Sequence, residues 1–162
     1  MPGNNYLHTI EQDKYRPIHQ SFLHAFINNN DYIDFAMSSV YKGGNKRNHY
    51  KGTNGFIWEN TPEATTCVCS KETALTYIRE QIKDHLLMIA DAYEGMVASA
   101  DSPVYVVNYL DIITALNHSS DLWNIYVFDE SMQWFVAITD ENIGTSEETL
   151  CFIGKALELW NK

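Results

Sequence analysis

Residues 122–138 read Leu-Trp-Asn-Ile-Tyr-Val-Phe-Asp-Glu-Ser-Met-Gln-Trp-Phe-Val-Ala-Ile. Two runs rich in aromatic and β-branched residues, 122–128 and 133–138, flank the short polar segment 129–131. Such runs favour extended strands, and a short polar connection between them favours a tight turn. The stretch therefore predicts a β-hairpin, and it carries the strongest β signal in the chain.

Outside this hairpin the sequence predicts three further strands and five helices. Short runs of β-branched, aromatic and cysteine residues predict strands at 56–58, 65–69 and 104–107, the first two paired as a hairpin around Pro62. Apolar residues spaced three or four apart, together with capping residues, indicate helices. These lie at 17–27, 31–40, 70–95, 110–116 and 147–160.

Two of these helices depend on particular patterns. Ser70 is a suitable N-cap for the third helix, and its apolar stripe comprises Leu75, Ile78, Ile82, Leu86, Ile89 and Tyr93. The last helix has Glu147 and Glu148 in its first turn, where a helix dipole favours negative charge. Helices grouped around hairpins predict an α+β fold, with an antiparallel or mixed sheet of about five strands and helices packed against it.

The length and composition are typical of one soluble globular domain. The chain has 162 residues, 45% apolar and 20% charged, so residues 1–162 are expected to form a single domain. Residues 42–54 hold three Gly and four basic residues and predict a flexible basic loop. The N-terminus has no secretory pattern, no run reaches eighteen apolar residues, and the three cysteines suit free thiols in a reducing compartment. These features indicate a cytoplasmic protein without membrane contact.

Charge is distributed unevenly along the chain. The net charge is −10, and residues 84–154, called here the acidic interval, contain twelve Asp and Glu but no Lys or Arg. Ordinary protein surfaces mix both signs. The acidic interval would repel nucleic acid and anionic membranes and would attract a basic partner.

Sequence motifs for catalysis or cofactor binding are not found. The chain has no phosphate-binding glycine loop, no dinucleotide fingerprint, no nucleophile elbow and no His-Glu-x-x-His. Cys67 and Cys69 would share one face of a strand, which permits a soft-metal or redox pair, but the spacing is not that of a zinc site and packing is the favoured interpretation. We therefore expect no catalytic residue, no metal and no cofactor.

Three acidic doublets within the acidic interval form the candidate binding surface. They lie in a stretch without Lys or Arg and close to two tryptophans, which suit the role of binding anchors. Carboxylates could pair with Arg of a basic partner. An ordinary solvated surface remains an alternative interpretation. The expected partner-binding residues are Asp121, Trp123, Tyr126, Asp129, Glu130, Trp134, Asp140, Glu141, Glu147 and Glu148.

Residues 110–144, LDIITALNHSSDLWNIYVFDESMQWFVAITDENIG, resemble the C-terminal part of small bacterial immunity proteins. The resemblance consists of a short helix, an aromatic strand, a tight turn, a Trp-bearing strand and an acidic loop with a Gly, and covers about a fifth of the chain. Such proteins accompany polymorphic toxins, including those of contact-dependent growth inhibition. The resemblance implies a cytoplasmic protein without catalysis that binds and neutralises a cognate toxin domain, basic if the toxin acts on nucleic acid.

Two alternatives remain open from the sequence. A hydrolase-type enzyme could assemble a dispersed site from Cys67, Cys69, Cys151, His85 and His118, or from carboxylates, because such sites form in space. A phage-type inhibitor could use the same acidic surface as a mimic of nucleic acid.

Overall fold

The computed structural model describes residues 7–38, 56–81, 86–92, 98–118 and 122–160, and these form one seven-stranded sheet with helices on both faces. All neighbouring strands run antiparallel, in the order β1-β4-β3-β5-β6-β7-β2. The strands are β1 His8–Thr9, β2 Thr66–Cys69, β3 Leu86–Ala92, β4 Tyr105–Val107, β5 Leu122–Phe128, β6 Trp134–Asn142 and β7 Thr149–Lys155.

Three of the α-helices in the described residues, α2, α3 and α4, begin at side-chain caps. The side chain of Asn29 accepts a hydrogen bond from the backbone N–H of Tyr32, and Ser70 accepts one from Thr73. Asn108 and Asp111 cap each other's backbone N–H reciprocally. The α-helices are α1 Tyr15–Phe26, α2 Asn30–Met37, α3 Lys71–Gln81, α4 Tyr109–His118 and α5 Leu157–Trp160, and 3-10 segments span Gln12–Lys14, Ile57–Glu59 and Glu63–Thr65.

The interior strand β6 is buried on both of its faces, because every residue from Trp134 to Thr139 is buried. Side chains alternate along a strand, so these residues divide between two cores. On one face Phe135 packs with α1 and α2, where the ring of Phe26 lies 4.9 Å from that of Phe135. On the other face Val136 belongs to a cluster with Ile78 of α3 and Ile112 of α4. The fold is therefore a helix–sheet–helix sandwich.

Three predicted elements are wrong. Residues 56–58 form no strand, because the backbone N–H of Phe56 donates to Glu59 Oε1 and the chain turns into a 3-10 segment. Helix α3 ends at Gln81, and Leu86–Ala92 is strand β3. The last predicted helix is strand β7, Thr149–Lys155, followed by a single helical turn.

The other predicted elements and the fold class are confirmed. The α+β class, the hairpin of β5 and β6, strand β4, and helices α1, α2 and α4 are all present. The predicted strand at 65–69 exists as β2, but it pairs with β7 instead of with residues 56–58. The sheet has seven strands where about five were expected. The predicted loop at 42–54 lies outside the described residues.

We expect Gly154→Ala to destabilise the protein, because a methyl group at this position of β7 would overlap the ring of Phe135, its cross-strand neighbour. Overpacking of this kind costs roughly 1–3 kcal/mol. Chemical denaturation should show this decrease in the free energy of unfolding. Gly144→Ala is the comparison, because its added methyl group would meet open space and only the positive φ of Gly144 opposes the change.

A double-mutant cycle tests the stated cause. The cost of Gly154→Ala should shrink in a Phe135→Leu background, where the ring is absent. An equal cost in both backgrounds would show that the ring is not the reason for glycine at this position.

Candidate functional site

Four carboxylates lie together at the exposed end of the β6–β7 hairpin. We call this set, Asp140, Glu141, Glu147 and Glu148, the acidic tip; all four residues are exposed. Asn142 pairs with Thr149 at the end of the ladder, and the connecting loop is closed by a 2.8 Å hydrogen bond from Ile143 N–H to the Glu148 carbonyl. The hairpin therefore brings two doublets that are separated in sequence to one end of the sheet.

A bulge in β6 contains Asp140 and Glu141, the first doublet of the acidic tip. The pairing steps from Ile138 opposite Cys151 to Asn142 opposite Thr149, so three residues of β6 face one residue of β7. The Thr139 hydroxyl stabilises the bulge by donating to the Leu150 carbonyl at 2.8 Å and accepting from the Glu141 N–H at 3.1 Å. Bulges interrupt the ladder and redirect side chains. Here the exposed Asp140 and Glu141 follow directly on six buried residues of the same strand.

A cavity of about 170 Å³ adjoins the acidic tip between the end of α4, the start of α3 and the sheet. Its apolar lining comes from helix α4 and from the sheet, and its polar lining includes one residue of the acidic tip. The apolar residues are Ala115, Leu116, Leu122, Ile125 and Ile138, and the polar ones are Lys71, Thr139, Asp140 and Thr149. The C-terminal end of a helix, such as the last turn of α4 here, carries partial negative charge.

The structure divides the predicted binding surface between the two ends of the sheet. Asp129 and Glu130 lie in the β5–β6 turn, and Asp140 lies five residues beyond Phe135, the partner of Phe128, so roughly 16 Å of strand separates the doublets. Asp129 also has a structural role, because its carboxylate accepts hydrogen bonds from Ser131 N–H and Trp134 Nε1. The three acidic doublets therefore do not form one continuous surface.

Two of the predicted aromatic binding residues, Tyr126 and Trp134, do not lie at a surface. Tyr126 is 0% exposed and Trp134 is 5% exposed, because both belong to interior strands covered on two faces. Their assignment to a binding surface is therefore wrong for this structure. Asp121 and the side chain of Trp123 lie outside what the structure describes.

A buried carboxylate, Asp91 on β3, is a feature that the sequence analysis missed. Its Oδ1 accepts from the Ala98 N–H at 2.7 Å, and its Oδ2 accepts from Asn124 Nδ2 at 2.9 Å and from the Tyr126 hydroxyl at 2.7 Å. Burial raises the pKa of Asp91 to about 6, against the lowering effect of these three donors. The signal in the sequence was the lone acidic residue in the apolar run Leu-Leu-Met-Ile-Ala-Asp-Ala.

The hydrogen bonds around Asp91 extend to two other segments. The Tyr126 hydroxyl accepts from the Trp58 N–H at 3.2 Å, and Asn124 Oδ1 accepts from the Asp140 N–H at 3.2 Å. This Asp91 network thus connects β3 and β5 with the 3-10 segment near Trp58 and with the bulge of the acidic tip. Its donors and acceptors satisfy one another, as buried polar groups require. We assign it the role of holding these segments in place.

A second buried titratable group, His19, connects α1 to the residues that precede β4. Its Nε2 lies 2.9 Å from the Ser102 carbonyl, so the neutral ring donates this hydrogen bond. Burial lowers the pKa of His19 to about 4, against smaller raising effects of the Ser102 carbonyl and of Asp101. His19 is therefore neutral near pH 7.

Cys69 and Cys151 do not show the properties of an activated nucleophile. Cys69 lies directly opposite Cys151 across β2 and β7, while Cys67 is exposed. Burial raises the pKa of the Cys69 thiol and raises that of Cys151 to about 12, whereas reactive thiols have lowered pKa values. His85 and the side chain of His118, the possible partners of a cysteine nucleophile, lie outside what the structure describes. Within the described part of the chain, no cluster of three or more His, Cys, Asp and Glu residues is placed to hold a metal ion.

No protein-family model matches this sequence, and neither a curated protein nor a solved structure matches it. In the described part of the chain, no helix has both the length and the apolar character needed to cross a bilayer. Any functional assignment therefore depends on the residues themselves.

The two buried titratable groups should produce opposing pH dependences of stability. Asp91 binds its proton more tightly when folded, so its contribution to the free energy of unfolding is complete below about pH 4 and is lost as the pH rises through about 6. His19 binds its proton less tightly when folded, so its contribution is complete above pH 6.5 and is lost as the pH falls towards 4. Between these limits the two effects offset each other.

Single substitutions should expose each effect. In His19→Gln, which keeps a donor for the Ser102 carbonyl, the free energy of unfolding should fall by roughly 2 kcal/mol between pH 4 and pH 6. In Asp91→Asn it should instead fall by a similar amount between pH 6.5 and pH 4. Urea titrations across this range measure both slopes. Slopes identical to the unsubstituted protein in both variants would contradict the assignment.

Proposed function

We propose that this protein is an immunity protein that binds and neutralises a basic, nuclease-type toxin domain through the acidic tip. The observation that carries the proposal is the exposure of four carboxylates at one end of the sheet, beside a cavity lined by both apolar and polar side chains. A cationic side chain with an aliphatic stem fits both features, because Lys and Arg bury their methylene groups while the charged head remains with polar partners. In this proposal the chain carries no catalytic residue.

Recognition would begin with the long-range charge. The acidic interval contributes twelve negative charges without an intervening Lys or Arg, which attracts a basic surface and accelerates encounter. The same charge disfavours direct contact with nucleic acid. A basic nucleic-acid-binding face of a toxin is therefore the complementary surface, and covering that face would exclude the substrate.

Close contact would then place one Arg or Lys of the toxin at the cavity. Its stem would lie against Leu116 and Leu122, and its head would lie near Asp140 and the Thr139 hydroxyl, all of which line the cavity. Lys71 also lines this cavity, and its positive charge opposes entry of the partner's cation, so binding there depends on the carboxylates of the acidic tip outweighing it. Glu147 and Glu148, at the loop end, remain for pairing with other basic side chains of the same partner.

We expect Glu147→Gln/Glu148→Gln to slow association with the toxin encoded beside this gene by about tenfold at low salt, because charge steering sets the encounter rate. Stopped-flow or surface-based kinetics at several salt concentrations would measure it, and the effect should shrink as salt increases. The matched control is Glu63→Gln/Glu130→Gln, which removes the same charge from exposed residues at the opposite end of the sheet.

Equal slowing by both pairs of substitutions would show that only net charge matters and would remove the acidic tip from the proposal. If no basic protein binds at low salt, the inhibitor function itself is wrong. Inhibition of a host DNA-binding protein, instead of a toxin, would favour the phage-type alternative.

A further inference from the structure

The three cysteines lie on two neighbouring strands at one edge of the sheet. β2 is the last strand in the sheet order and pairs with β7. Cys69 lies directly opposite Cys151, and both pack in the apolar cluster beneath α3, so their side chains point to the same face. Cys67 lies directly opposite Ile153.

The distances in such a ladder suit one disulfide only. Directly opposite residues of an antiparallel pair have Cα atoms about 4.5–5.5 Å apart, and a disulfide needs about 4.4–6.8 Å. Cys69 and Cys151 meet this requirement without backbone movement. Cys67 has no thiol opposite it, and its distance to Cys69 along the strand, about 6.6 Å, is near the upper limit.

We propose that Cys69 and Cys151 form a cross-strand disulfide when the protein reacts with a low-molecular-weight disulfide such as oxidised glutathione. The Cys69 thiolate attacks one sulfur of oxidised glutathione, the disulfide bond of glutathione breaks, and one reduced glutathione leaves. The Cys151 thiolate then attacks Cys69 Sγ in the mixed disulfide, and the second reduced glutathione leaves. The protein loses two hydrogens and oxidised glutathione gains two.

The surroundings of the thiols set the order and the rate of these steps. Cys69 is partly exposed and can be reached first, whereas Cys151 is 0% exposed and reacts only with its neighbour. Burial, with a smaller effect of the Cys69 thiol, raises the pKa of Cys151, and only Lys71 and a backbone contact at Thr139 oppose this. A higher pH therefore favours closure, because the thiolate is the attacking species. Cys67 is modified readily but stays a mixed disulfide with glutathione.

The test uses the folded, full-length Cys67→Ser protein, incubated with oxidised glutathione, alkylated and digested with trypsin. Cleavage after Lys51, Lys71, Lys83 and Lys155 places residues 52–71 and 84–155 in separate peptides. Mass spectrometry should find these two peptides joined by a disulfide. The matched variant Cys69→Ser keeps Cys67 and Cys151 and should carry glutathione on Cys67, with at least about tenfold less of the joined peptides.

The comparison of the two variants separates the native pairing from chance cross-linking. Any disulfide that forms by transient unfolding would appear in both variants, since each retains one thiol of β2 and Cys151. Equal cross-linking in both variants would overturn the proposal. So would a Cys67→Ser protein that accumulates glutathione on Cys69 and never forms the joined peptides.

Discussion

The double burial of β6 is the constraint on which the rest of the structure depends. From Trp134 to Thr139 no side chain is exposed, so apolar groups project from both faces of one strand. Each face needs its own cover, and the backbone groups need neighbours on both sides. Helices α1 and α2 supply one cover and α3 and α4 the other, while β5 and β7 supply the pairing. The ring of Phe135 lies over Gly154 on the neighbouring strand, which shows how closely the side chains on this face are packed.

The same constraint explains which elements could be predicted from the sequence. The hairpin was predicted because a polar turn separates two strand-like runs. Strand β3 was mistaken for a helix, because a strand buried on both faces shows a continuous apolar run, here 86–90, and such a run also fits a spacing of three to four. Strand β7 also has a continuous apolar run, 150–153, that fits a helical spacing, although most of its residues are only half-buried, and Glu147 and Glu148 before it resemble the first turn of a helix.

The candidate site was predictable in its chemistry but not in its placement. The sequence indicates an acidic surface, and the structure confirms that Asp140, Glu141, Glu147 and Glu148 are exposed. Their grouping depends on the bulge in β6 and the length of the following loop, which no local pattern reveals. Trp134 was expected at a binding surface because tryptophan is common at interfaces. Its position in an interior strand decides instead that it is buried. The role of Asp91 could not be predicted from the sequence, because its three hydrogen-bond donors come from segments distant along the chain.

In the proposed function the acidic tip is the binding face, and Asn124 links it to the Asp91 network by accepting from the backbone N–H of Asp140. Amide hydrogen exchange of the free protein and of its complex with the neighbouring gene's toxin tests this directly. If the acidic tip is the binding face, binding slows exchange in residues 139–149 and leaves the turn at 129–133, at the other end of β6, unchanged. Protection confined to the 129–133 turn, with 139–149 unchanged, would contradict it.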